Sequence, residues 1–334
     1  MKAMRKFMLL AMNLHLFDGQ PNTQTTTTNG LTDEMKTYYS DYLIDLVEPE
    51  LVHDIFAQKH PIPKNGGKTI EFRQWDTLPE MTTPLTEGVT PDGKKLSVTS
   101  IEAEVAQYGD YIVQSDVLEL TSIDNTIVEA TKILGRQAGL TLDTIVRNVM
   151  QSGTNVFYAP KSDGSPVVSR SGLDNTCVLT VDLVKRVVAF LKKNNAPKIN
   201  GDFVAIIHPY TAYDLRKDPL WRAPHEYTDT EHIYNGELGK ISGVRFVESS
   251  EAKVYEGGVF GCLFMGDGAY GDTEITGGGL ETIIKQKGSA GTADPLNQRS
   301  SIGWKAMKTA ELLVEPYMVR VECKSALSDE IEAN

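Results

Sequence analysis

The stretch PIPKNGGKT, residues 61–69, has the residue types of a phosphate-binding turn: Gly66 and Gly67, then Lys68 and Thr69. Glycine backbone amides and an ammonium can cradle a phosphate, but only where the turn feeds a helix whose N-terminal amides point at the anion. The full spacing needs a glycine at position 62, which is Ile62, and the residues after Lys68, TIEFRQW, alternate like a strand. The stretch therefore reads as a glycine turn with Lys68 at a strand edge. A second pattern, MGDGAYG, puts Gly266, Gly268 and Gly271 at dinucleotide spacing after a strand-like run. A dinucleotide site needs a helix next and an acidic residue about 20 positions on. The sequence continues as DTEITGGGLETII, which is turn and strand.

The other reactive residue types are no better organised. The histidines are His15, His53, His60, His208, His225 and His232, and none has HExxH-type ligand spacing. His225 and His232 could share a helix face, but Pro224 and the polar TDTE argue against a continuous helix; His208, before Pro209, closes a strand and reads as structural. No GxSxG turn occurs and no carboxylate pair stands out as an acid/base couple. Cys177, Cys262 and Cys323 are far apart with no CxxC, which suits packed thiols in a reducing compartment rather than a zinc site or a disulfide framework. No cofactor or metal is expected. A nucleotide-binding enzyme using the glycine-rich stretches is the reading from another class.

The elements that must position these residues are more informative. The chain has 334 residues and a formal net charge of −12, with 40% hydrophobic residues, enough for a sizeable core and unlike a surface built to grip nucleic acid. No apolar run approaches the roughly 18 residues needed to span a bilayer, so no membrane partner is expected. Lys2, Arg5 and Lys6 precede a short apolar run, Phe7 to Met12, like a signal peptide; the run is short, no small-x-small site follows, and Met12 opens an alternative start.

Residues 18–32 are rich in Thr, Asn and Gly and read as a flexible arm, followed by two short helices separated at Pro49. Alternation in TIEFRQW puts Ile70, Phe72 and Gln74 on one side. The Pro- and Gly-rich segment 76–95 has no helix and few core residues. LSVTSIEAEVAQYGDYIVQS then alternates, with Leu96, Val98 and Ser100 set against Ile101, Ala103 and Val105 after a shift of phase. Two long strands flanking a coreless tip are expected, and such a loop is uncommon unless it is functional. Ile127, Leu134, Ala138, Leu142, Ile145 and Val149 form the seam of one long helix over about 122–151, capped by Thr121 or Ser122 and ended near Gly153. Beyond it lies an α/β unit: an amphipathic helix after Thr180, a buried strand DFVAIIHP, a short helix TAYDLRKD, further strands GVRFVES, GVFGCLFMG and LETIIKQ, and one or two long strands over 301–324.

Arm, extended hairpin, long helix, α/β unit and terminal strand form the order found in the major capsid proteins of tailed bacteriophages. The chain resembles that family, particularly its coliphage N-four type, over about 32–250 and more loosely to 325. The stretches that carry the likeness are EPELVHDIFAQKHPIPKNGGKTIEF, PLTEGVTPDGKKL, QYGDYIVQSDVLELTSID, LGRQAGLTLDTIVRNV, LKKNNAPKINGDFVAIIHPYTAYDLRKDP and GKISGVRFVES. The resemblance implies the α+β, Hong Kong-type capsid fold. It implies an N-terminal arm over 1–60, an extended loop over 61–115, a peripheral domain over 116–177 plus 300–325 with a spine helix, an axial domain over 178–299, and a C-terminal tail over 326–334. The implied function is structural, not enzymatic: self-assembly of pentamers and hexamers into an icosahedral virion shell enclosing double-stranded DNA, without sequence-specific binding. Assembly would take place in the host cytoplasm, with scaffolding, portal and decoration proteins as further partners. An encapsulin-like nanocompartment shell is the rival within the fold. Lys68, Arg73, Trp75, Pro84, Glu87, Pro91 and Lys94 on the extended loop are the expected subunit-interface residues, with Arg73, Glu87 and Lys94 setting register between subunits or standing solvated.

Overall fold

A computed structural model describes residues 23–24, 52–75, 78–85, 87–88, 90, 92–121, 126–221, 239–289, 294–328 and 331–334. The helix expected before Pro49, the Thr-rich arm apart from Thr23–Gln24, Ser122, Pro91, and His15, His225 and His232 lie outside these residues; the helix expected after Pro49 is not formed over residues 52–58, which are turn leading into strand Gln58–Lys59. Contacts divide the chain into two compact units.

One unit contains Tyr108–Gly139 and Leu280–Ala306. Its sheet sets strand Ala106–Ser115 beside the first part of Arg299–Leu312, which is flanked on its other side by Glu281–Lys285. Gly109 lets the two backbones cross closely: a Cβ there would lie 2.5 Å from the Trp304 carbonyl oxygen. Helix Asp116–Thr121 follows, its Leu118 amide donating to Ser115 Oγ at 3.2 Å. Gln137 ties helix to sheet by donating to Asp110 Oδ2 at 2.6 Å and accepting from Trp304 Nε1 at 3.3 Å.

The long helix runs Thr126–Met150, about 38 Å at 1.5 Å per residue. Its buried seam is Ile127, Ala130, Leu134, Ala138, Leu142, Val146 and Met150. Ile145 and Val149, expected on this seam, are only half-buried. Steps of four overshoot the 3.6-residue turn, so the seam drifts round the helix and reaches Val146 and Met150 instead.

The other unit, Glu50–Gln107, Leu140–Gly279 and Met307–Asn334, is built on a sheet in the order Val156–Tyr158, Met318–Cys323, Val259–Met265, Phe203–Ile207, Val244–Glu248, Lys240–Ile241. Phe203–Ile207 and Val259–Met265 are buried along their whole length, as central strands covered on both faces must be. Helix Val181–Lys193 starts where Thr180 Oγ1 accepts the Leu183 amide at 3.4 Å, has Asp182 in its first turn and Lys192 and Lys193 in its last, and buries Leu183, Val184, Val187, Val188 and Leu191. Each of those side chains contributes roughly 1.5–3 kcal/mol by leaving water. Met318–Cys323 pairs antiparallel with Val259–Met265 and parallel with Val156–Tyr158. These strands, which the resemblance assigns to the peripheral part, therefore share a sheet with the axial strands. Conversely, Leu280–Ala306 packs with Tyr108–Gly139. Alternating apolar residues declare a strand, but long-range hydrogen bonds choose its sheet.

Candidate functional site

The extended segment begins beside residues 274–276, just past strand Tyr270–Thr273. Ile62 is buried, and its amide donates to Glu274 O while its carbonyl accepts from Thr276 N, each at 2.8 Å. A turn then closes with Gly66 N donating to Pro63 O at 2.9 Å. Gly67 has φ +87°, a left-handed conformation that a side chain would strain. A strand follows directly, so GGKT supplies no helix N-terminus for phosphate. The Gly266–Gly271 stretch likewise runs into strand Tyr270–Thr273.

Strands Thr69–Trp75 and Val98–Glu104 form an antiparallel hairpin from Thr69↔Glu104 to Trp75↔Val98. The single strand expected over 96–115 is broken at Val105. The Val105 amide still donates to Lys68 O at 2.8 Å, and from Ala106 the chain joins the other sheet. In the alternation, Ala103 and Val105 are buried and Ile101 is half-buried. Leu96 and Val98 on the other phase are exposed.

Lys68 pairs with Glu104 across the root of the hairpin. Arg73 is exposed, and its Nε and Nη2 donate to Glu71 at 3.1 and 2.9 Å along the same strand. That bond holds the exposed Glu71 carboxyl below its usual value and raises the guanidinium. Trp75, Pro84, Glu87 and Lys94 are exposed, as is every other described residue from Arg73 to Ser100. The segment thus holds Trp75, Leu78, Met81, Leu85, Leu96 and Val98 in water with no core to receive them.

Two polar constellations escaped the sequence reading. His53 Nδ1 lies 2.6 Å from Asp143 Oδ2, both side chains being buried, and Asp143 Oδ1 accepts the Val52 and His53 amides at 2.9 and 2.8 Å. Beside them Asp54, Lys59, Asp272 and Lys308 form an ion cluster. A signal was present: Trp304, Ala306, Lys308 and Ala310 are the buried phase of one strand, and a lysine in that phase needs a counter-charge. His208 is structural, as expected: its Nδ1 accepts the Tyr210 amide at 3.1 Å and caps helix Pro209–Lys217, and burial lowers its pKa to about 4. The three cysteines are free and buried. Among the described residues no group of three side chains could hold a metal, and no helix is long and apolar enough to cross a membrane.

A search of curated protein sequences returned no match. The structure is similar to the capsid of cyanophage Pam1 (TM-score 0.66, 12% identity, covering 93% of this chain and 99% of that one). It is also similar to the capsid of cyanophage P-SCSP1u (TM-score 0.64, 13% identity, 82% and 88%) and to the capsid of Ralstonia phage GP4 (TM-score 0.58, 13% identity, 94% and 97%). At such identities the likeness establishes the α+β, Hong Kong-type capsid fold. The model of the phage capsid protein family matches residues 23–262. The chain therefore belongs to the phage capsid protein family and is a structural protein of the virion, self-associating into the capsid shell.

Proposed function

We propose that the hairpin and its loop, residues 61–105, form an arm that each subunit lays on a neighbour within the shell. One observation carries this reading: from Arg73 to Ser100 every described residue is exposed, apolar side chains included. A two-stranded ribbon is marginal alone, and docking on another chain would bury its exposed apolar side chains. Of the expected interface residues, Lys68, Arg73, Trp75, Pro84, Glu87 and Lys94 are all exposed and available to a partner, Lys68 also pairing with Glu104 across the root of the hairpin. Pro91 is assigned to the same surface by its place in the loop.

In this reading the N-terminal residues are a second linking arm, and pentamers and hexamers tile the shell without enzymatic activity. The shell encloses the DNA genome without reading its sequence, consistent with the net charge of −12. Scaffolding, portal and decoration proteins are its further partners, and assembly takes place in the host cytoplasm. Deleting residues 80–93 tests the central claim. The variant is expected to fold with unchanged circular dichroism yet form no closed shells by negative-stain microscopy. Closed shells of normal size would overturn the bridging role.

A further inference from the structure

Lys308 is only 9% exposed, and its Nζ lies 2.9 Å from Asp54 Oδ1 and 3.4 Å from Asp272 Oδ2. Asp272 is 3% exposed, and its Oδ1 is buried without a donor beside it. Lys59 reaches the same two carboxyls, at 2.5 Å from Asp54 Oδ2 and 2.9 Å from Asp272 Oδ2. A buried amine held against one carboxyl, with a second carboxyl within reach of both, is the arrangement that amide formation requires. We propose that Asp54 and Lys308 condense into an intramolecular isopeptide bond, with Asp272 moving the protons.

The neighbours fit these roles. Burial, reinforced by the Asp54 charge, raises Asp272 above the usual carboxylate value against the pull of Lys308, so it can carry a proton. Asp54 is held down at about 2: burial acts against this, but Lys308 and Lys59 outweigh it. Lys59 is also opposed by burial, yet its bonds to both carboxyls raise it, so it stays an ammonium and stabilises the oxygen charge that develops on Asp54. The acceptor is fixed in place, because Asp143 holds the Val52 and His53 amides and the Tyr270 hydroxyl donates to the His53 carbonyl. Holding reactants at contact distance removes the entropic part of such a barrier.

The step balances without a co-reactant. Asp272 takes a proton from the Lys308 ammonium and delivers it to an Asp54 oxygen; the freed amine attacks the Asp54 carboxyl carbon, the N–C bond forms and the C–O bond to the protonated oxygen breaks. Of the three ammonium protons, one stays on the amide and two leave with the departing oxygen as water. Asp272 relays them and ends as it began. Condensation replaces a largely buried ion pair by a neutral amide, which is cheaper to keep out of water. The bond would join the root of the N-terminal segment to strand Arg299–Leu312.

The test uses the full-length chain. After incubation at neutral pH, the intact mass under denaturing conditions should fall by one water, and tandem mass spectrometry of a digest should show a branched peptide joining Asp54 and Lys308. Lys308→Arg, which keeps the charge but cannot form this amide, should retain the full mass, and Asp272→Asn should abolish or greatly slow the loss. Full mass at every incubation time overturns the proposal. So does water loss that persists in Lys308→Arg, which would mark a succinimide at Asp54. Should Lys308→Arg fail to fold, the presence or absence of the branched peptide in the wild-type digest decides the matter.

Discussion

The His53 imidazole lies 2.6 Å from the Asp143 carboxylate, across 90 residues of sequence and with neither side chain reached by water. Asp143 also accepts two backbone amides, so it organises the turn that leads the chain toward the hairpin. Removing one partner of a buried pair strands the other, at a cost of about 3–5 kcal/mol. Asp143→Ala should lose that much stability in chemical denaturation, and hydrogen exchange at the Val52 and His53 amides should rise. A loss below about 1 kcal/mol, the scale of an exposed pair, would show that the pair is not the anchor described.

Acid sensitivity should originate at His208. Burial lowers its pKa from 6.5 to about 4, so between those values the unfolded chain binds more protons than the folded one. The stability it contributes is complete above pH 6.5 and is lost as pH falls toward 4. From about pH 7 to about pH 5 the loss is roughly 2 kcal/mol. His208→Asn keeps an acceptor for the Tyr210 amide but cannot titrate there. Urea denaturation of both proteins at the two pH values should show the variant losing less, by about that amount.

Gly109→Ala should destabilise the unit that contains it. The added Cβ would meet the Trp304 carbonyl, which is backbone and cannot rotate away. Overpacking of this kind costs about 1–3 kcal/mol. A melting temperature equal to wild type would mean that the two strands part at no cost.

Leu85→Ser separates stability from assembly. Leu85 is 74% exposed, so the subunit should keep its stability to within about 0.5 kcal/mol. If the loop lies on a neighbour, the concentration needed for shell formation, followed by light scattering, should increase. An unchanged threshold would remove Leu85 from the contact.

The legible parts of the sequence were those governed by local rules. Alternation at Ile70 and Phe72, the Thr180 cap, the helix face Leu183–Leu191 and the turn at Gly66–Gly67 each depend on a few consecutive residues, and each was readable. The coreless loop was readable too, since Pro79, Pro84, Gly88, Pro91 and Gly93 admit no regular element. Leu96 and Val98 alternate yet are exposed, because alternation records which residues share a face, not whether anything covers it.

By itself, then, the sequence determined the elements, their order, the family likeness and the lack of organised catalytic motifs. Tertiary structure alone decided that Met318–Cys323 lies between Val156–Tyr158 and Val259–Met265, and that Asp54, Lys59, Asp272 and Lys308 meet. The reason is range. Hydrophobic period and capping act over one or two turns, whereas strand order and buried charge pairs join residues up to 254 positions apart (308 − 54), and only the folded chain brings those together.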